Sequence, residues 1–184
     1  MKKININNIS VTTLILFTIC IVVTAALAFT NYITAERIAA LEQKSQKDSM
    51  YIVLPAEEYT SLNVPSQDSS NECYSAKNGG EIIGYIATAS VNGYGGQVKV
   101  MVGVDNFNTI TAVKILSAAD ETPGLGMNIT KKDYYNQYSG KKTNFNDDEI
   151  IAVTGATISS TAAKNAVKEA LNFINQAKQV GEVK

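Results

Sequence analysis

The chain opens on a long apolar stretch and then changes period several times. Val11 to Phe29 is interrupted only by threonines and Cys20. At helical rise this run crosses roughly 30 Å of hydrocarbon. The spacing of Ile33, Arg37, Ala40, Leu41 and Lys44 continues a helix, which carries the following domain away from a bilayer. Tyr51-Ile52-Val53-Leu54-Pro55 reads as a short strand stopped by proline, and Ser61 to Asn71 as a polar loop. Glu81 to Ala89 is strand-like. Asn92-Gly93-Tyr94-Gly95-Gly96 is a turn with several positions suited to positive φ. Val98, Val100, Val102 and Val104 alternate with Lys99, Met101 and Gly103, the pattern of a half-buried strand. Asp105 to Asn108 turns the chain into a third strand, Thr109 to Leu116. Tyr134, Tyr135 and Tyr138 fall on a short helix as packing residues. Ala163, Ala166, Val167, Ala170, Leu171 and Ile174 then repeat at helical spacing. An antiparallel meander with helices before and after it is an α+β fold.

This pattern divides the chain into an N-terminus (1–10), a transmembrane helix (11–30), a helical connector (31–50) and one domain (51–184). Lys2 and Lys3 precede the apolar run, and Glu36 and Arg37 follow it. The positive-inside bias puts the N-terminus in the cytoplasm and the domain outside, on a single-pass cell-membrane protein. Ala26-Leu27-Ala28 also fits a signal-peptide cleavage site. The length of the run and the helical pattern beyond it favour a retained anchor in membrane lipid. Ile19 is too large to precede a lipoprotein cysteine at Cys20.

Composition narrows the chemistry. The 184 residues contain no histidine, which excludes imidazole metal ligands, Ser-His-Asp triads and Cys-His dyads. Two cysteines do not fill the usual four positions around an iron–sulfur cluster. Cys20 lies in the apolar run and Cys73 beyond it, so a disulfide between them is not expected. A net charge of −1 offers no field for nucleic acid. Redox chemistry on this chain needs an organic cofactor or a partner, with no metal site and no catalytic residue of its own.

Two segments carry candidate chemistry. Thr154-Gly155-Ala156-Thr157-Ile158-Ser159-Ser160-Thr161 is a hydroxyl-rich turn that opens the last helix. Free backbone N–H groups at a helix start favour a phosphate, although Ser and Thr at such positions more often only cap the helix. Asp120-Glu121-Thr122-Pro123-Gly124-Leu125-Gly126 contains a Pro-Gly pair suited to a type II turn. Its plain reading is an exit turn. Its glycines also let backbone approach a flat ligand, with Leu125 over a ring face.

Gly93-Tyr94-Gly95-Gly96, Glu121 to Gly126 and Thr154-Gly155-Ala156-Thr157, in this order behind an N-terminal anchor, resemble the G subunit of the Rnf electron-transport complex. The likeness to the C subunit of the sodium-pumping quinone reductase is weaker. The chain departs from the family pattern at Ala119, where a His is common, and at Ile151, where an Asp is common. The resemblance implies FMN held outside the cytoplasm by a phosphoester to Thr157, attached by a flavin transferase. Thr154, Gly155 and Ala156 then belong to the cofactor site, Ser159, Ser160 and Thr161 steady the phosphate charge, and Glu121, Thr122, Gly124 and Leu125 contact the ring. The implied function is electron relay within an ion-translocating ferredoxin:NAD⁺ oxidoreductase, beside its membrane and iron–sulfur subunits. The alternatives are an extracytoplasmic FMN carrier for another reductase, a subunit like that of the quinone reductase, or a scaffold without redox chemistry.

Overall fold

The computed structural model describes residues 6–62, 64 and 71–181. Lys2, Lys3 and most of the loop expected from Ser61 to Asn71 lie outside the described residues. Helix α1 runs from Ile6 to Val53. The chain forms two compact units, residues 1–45 and 46–184.

In the first unit, Val11–Ala35 is long and apolar enough to cross a membrane, and its residues are not buried within the protein. Its threonines do not spoil it. Thr18 and Thr30 each donate their hydroxyl to the carbonyl four residues earlier, at 2.9 Å, so these polar groups are satisfied within the helix.

The second unit is built on five strands: β1 (Glu58–Leu62), β2 (Cys73–Asn78), β3 (Glu81–Asn92), β4 (Gln97–Asp105) and β5 (Ile110–Ser117). They pair in sequence order, each antiparallel to the next. Helices cover both faces. Val98, Val100, Val102 and Val104 point to one face and pack under α3 (Thr157–Gly181), which follows the short α2 (Lys132–Tyr135). Helix α3 contributes Ala163, Ala166, Val167, Ala170 and Ile174, all fully buried. Its alanines present little bulk, which lets the backbone lie close over the sheet.

The other face, around Ile86 and Met101, is covered by Met50, Val53 and Leu54. Here the strand reading of Tyr51 to Pro55 fails, because α1 continues through Val53 and Leu54 N–H donates to Met50 O at 2.9 Å. Met50, Val53 and Leu54 follow i, i+3, i+4 spacing and bury one stripe, while Tyr51 and Ile52 remain exposed. Packing against the sheet overrides the local β preference of Tyr-Ile-Val. At Gly103 a side chain would meet Val53 O at 2.6 Å, so the strand is bare where the helix end rests on it.

Candidate functional site

The three sequence segments meet at one end of the sheet. The connection from β5 enters a turn whose Leu125 N–H donates to Thr122 O at 3.1 Å, with Gly124 at φ 75°. That is the type II geometry expected of Pro123-Gly124. Farther on, the Gln137 side chain brackets Ile151, accepting from its N–H at 2.8 Å and donating to its carbonyl at 3.2 Å. The next turn is closed by Ala156 N–H to Val153 O, 3.0 Å, and Gly155 takes φ 77° within it. Ser160 pins this turn from inside the helix, its Oγ accepting from Val153 N–H at 3.0 Å. Tyr134 supports the same residue from behind, donating to Ser160 O at 3.0 Å. Burial pushes the Tyr134 and Tyr138 phenols above the ordinary tyrosine value, so both stay neutral donors in the core. They pack edge-on within the core, as the packing reading expects.

Helix α3 begins at Thr157. The residue before it is Ala156, which has no capping oxygen, and Ser160 N–H makes the first helical bond to its carbonyl at 2.9 Å. The amides of Thr157, Ile158 and Ser159 therefore precede any i→i−4 partner. The hydroxyls do not take these amides up: Ser160 serves Val153, and Ser159 donates to Glu121 at 2.6 Å. Thr157 is exposed, and among the described residues its hydroxyl takes no hydrogen bond. The ordinary capping role is thus left open, and the helix start faces solvent with its dipole unneutralised by a side chain on that side.

A cleft of about 570 Å³ lies over this helix start, lined by Tyr94, Thr122, Leu125, Gly126, Gly155, Ala156, Thr157, Ile158 and Ser159. Among the described residues, none in the lining is charged. Thr122, Leu125, Gly126, Gly155, Ala156, Thr157 and Ser159 are candidates on sequence grounds, whereas Tyr94 and Ile158 are not. Tyr94 is 69% exposed at the rim. An aromatic residue held between glycines is the available signal for it.

Glu121, Gly124, Thr154 and Ser160 stand outside this lining. Thr154 borders a separate hollow of about 340 Å³ on the other side of the turn, shared with Lys131, Gln137 and Ile151. Gly124 is exposed, and a side chain there would find open space within 4 Å. Glu121 is 2% exposed. Its Oε1 accepts from Tyr94 N–H at 2.7 Å and Gly95 N–H at 3.4 Å, and its Oε2 accepts the Ser159 hydroxyl. It joins three wall segments from behind.

This packing also corrects the reading of the glycine turn. Gly93, Gly95 and Gly96 are not among the positive-φ residues. They are bare because the Asp120–Glu121 segment passes over them. A Cβ on Gly95 would lie 1.8 Å from Asp120 O, and one on Gly96 2.5 Å from Asp120 Cβ.

Residues 93–172 match the FMN-binding domain family, and residues 1–53 match the RnfG N-terminal region. The G subunit of the Na(+)-translocating ferredoxin:NAD(+) oxidoreductase complex of Acetobacterium woodii is 33% identical over 181 residues, covering 84% of this chain and 86% of that protein. The G subunit of the proton-translocating ferredoxin:NAD(+) oxidoreductase complex of Clostridium ljungdahlii is 31% identical over 164 residues, with 84% and 85% covered. The crystal structure of Shewanella oneidensis NqrC superposes with a TM-score of 0.50 at 20% identity, covering 67% of this chain and 72% of that one. That last likeness is one of fold.

Proposed function

The chain belongs to the family of G subunits of ion-translocating oxidoreductase complexes, and on that premise we propose that it carries FMN on Thr157 as the electron-relay component of a ferredoxin:NAD⁺ oxidoreductase. The domain sits outside the cytoplasm, anchored by Val11–Ala35. It works beside the membrane and iron–sulfur subunits of the complex and is matured by a flavin transferase.

The observation that carries this reading is the position of Thr157. It is the first residue of α3, exposed, at the edge of a cleft whose volume lies within the usual range for ligand sites. The cleft fits the group. Leu125 and Tyr94 offer apolar and aromatic faces to a flat ring, and three amides of the helix start meet a phosphate. When bound, FMN supplies one- and two-electron chemistry; the protein supplies position and electrostatics.

The neutral lining explains why a covalent tether suits this site. Among the described residues, no lysine or arginine lines the cleft to hold a phosphate dianion against an open medium. The helix-start amides orient the phosphate, and the ester at Thr157 retains it. Glu121 and Ser160 hold the walls rather than the ligand.

The test is the intact mass of the full chain from a host that expresses a flavin transferase. The expected gain is FMN less one water, on the peptide containing Thr157. An unmodified chain, or an adduct on another residue, overturns the proposal.

A further inference from the structure

Glu121 is a carboxylate buried where the cleft wall is one residue thick. Ser159 and Gly126 line the cleft on one side, and the carboxylate lies directly behind both. The Ser159 hydroxyl is 2.6 Å from Oε2, and a Cβ on Gly126 would lie 2.6 Å from the same oxygen. Among the described residues, every hydrogen-bond partner of this side chain is a donor: two backbone amides and one hydroxyl. A carboxylate accepts all three bonds. None of these partners is a lysine or arginine, so the charge is solvated by dipoles and left uncancelled.

We propose that Glu121 is a positioning residue that fixes both walls of the cleft and lowers the reduction potential of the flavin seated there. This rests on the reading that FMN occupies the cleft. Its two oxygens fasten the turn that carries Tyr94 to the first turn of α3, which carries Thr157. Reduction adds electrons to the ring. A fixed negative charge on the buried side of the wall, with no cation beside it among the described residues, opposes that addition. The charge lies behind Ser159, on the buried side of the helix start, whereas Thr157 presents the phosphate on the exposed side. One helix terminus thus serves a tethered phosphate and a buried carboxylate on different faces.

The experiment is a reductive titration with dithionite, in the presence of a reference dye, of the flavinylated full chain in detergent. Glu121→Gln keeps the shape and removes the charge. Its amide oxygen still accepts from Tyr94 and Gly95, and its amide group donates to Ser159. The midpoint is expected to rise, so that the ratio of reduced to oxidised flavin at a fixed potential increases about tenfold, equivalent to about 30 mV for a two-electron couple. Glu121→Asp is the control. It keeps the charge on a shorter side chain, and its midpoint is expected to stay closer to the parent's than that of Glu121→Gln. A wall that merely loosens shifts both variants alike.

An unchanged or lowered midpoint in Glu121→Gln overturns the proposal, as does a rise in Glu121→Asp as large as that in Glu121→Gln. If Glu121→Gln does not fold, Glu121→Asp decides alone, and a midpoint raised by the full amount expected for loss of the charge overturns the proposal. A parent chain that takes up no FMN overturns the reading under Proposed function, and this one with it. A flavinylated parent whose variants give either of the overturning results overturns this one only.

Discussion

Leu125 lies against Gly155, with its Cδ1 3.0 Å from the point where a Cβ on Gly155 would stand. The two residues are far apart in sequence and come from different turns, each built on a glycine at positive φ. Their contact joins the Pro-Gly turn to the turn that delivers Thr157. Leu125 is 42% exposed, so the same side chain also faces the cleft.

Gly155→Ala therefore meets two obstacles. The backbone angle of 77° disfavours any side chain by roughly 1–2 kcal/mol, and the new methyl presses on Leu125. The expected result is a domain that still folds, with a lower melting temperature and slower attachment of FMN. Thermal denaturation and a time course of intact mass check both parts. Attachment at the parental rate shows that the turn need not keep its shape.

Thr157→Ala is expected to abolish the FMN adduct while leaving stability within about 0.5 kcal/mol. The side chain is exposed and holds nothing else in place among the described residues. Circular dichroism melting beside mass spectrometry separates a lost tether from a lost fold. An adduct that persists, or moves to Thr154, shows that the nucleophile is elsewhere.

Two glycines offer a contrast in cause. At Gly95 a Cβ would lie 1.8 Å from Asp120 O, a backbone atom that has no rotamer to escape into. Gly95→Ala must push the turn away and break the amide bonds to Glu121, at a cost on the order of 3 kcal/mol. At Gly124 the space is open and only φ 75° resists, so Gly124→Ala costs about 1–2 kcal/mol. Urea denaturation of the two variants gives the order. A larger loss at Gly124 contradicts the packing described above.

Topology needs an engineered thiol. Cys73 is 1% exposed, and burial pushes its thiol up to about 12, so it does not report on the outside of the membrane. Phe107 stands 80% exposed at the β4–β5 turn. Phe107→Cys is expected to react with an impermeant maleimide on intact cells, whereas Cys73 reacts only after denaturation. Labelling of Phe107→Cys only after lysis places the domain inside.

The segment leading into the Thr157 turn is tied to α3 by Asp147 and Lys168, 2.5 Å apart. A hydrogen bond from Lys168 lowers the Asp147 carboxyl below its ordinary value. A depressed carboxyl contributes stability above the unfolded pKa, near about 3.9, and loses it as pH falls through the folded value. Lys168→Ala is therefore expected to lower the melting temperature slightly at neutral pH, and the difference from the parent is expected to close below about pH 4. The pair is exposed, so the effect is small and shrinks in salt. A gap that widens on acidification refutes the assignment.

Local pattern determined a good deal here. The apolar run, the alternating valines of β4, the Pro-Gly turn and the hydroxyl-rich start of α3 were all legible, because periodicity and turn chemistry act within a few residues. Strand β2 was not. Cys73–Asn78 mixes Ser, Lys and Asn with few apolar residues, and only the Asn78-Gly79-Gly80 hairpin turn hints at it. Tertiary structure decided the rest. Tyr51 to Val53 is helical because Met50, Val53 and Leu54 have a sheet face to cover. The glycine turn is bare because a loop 26 residues later crosses it. Glu121 faces inward because Ser159, 38 residues on, and two amides of the turn supply the donors that a buried carboxylate requires. A sequence states which groups a chain carries, whereas the direction a polar side chain faces depends on partners that only folding brings within hydrogen-bond distance.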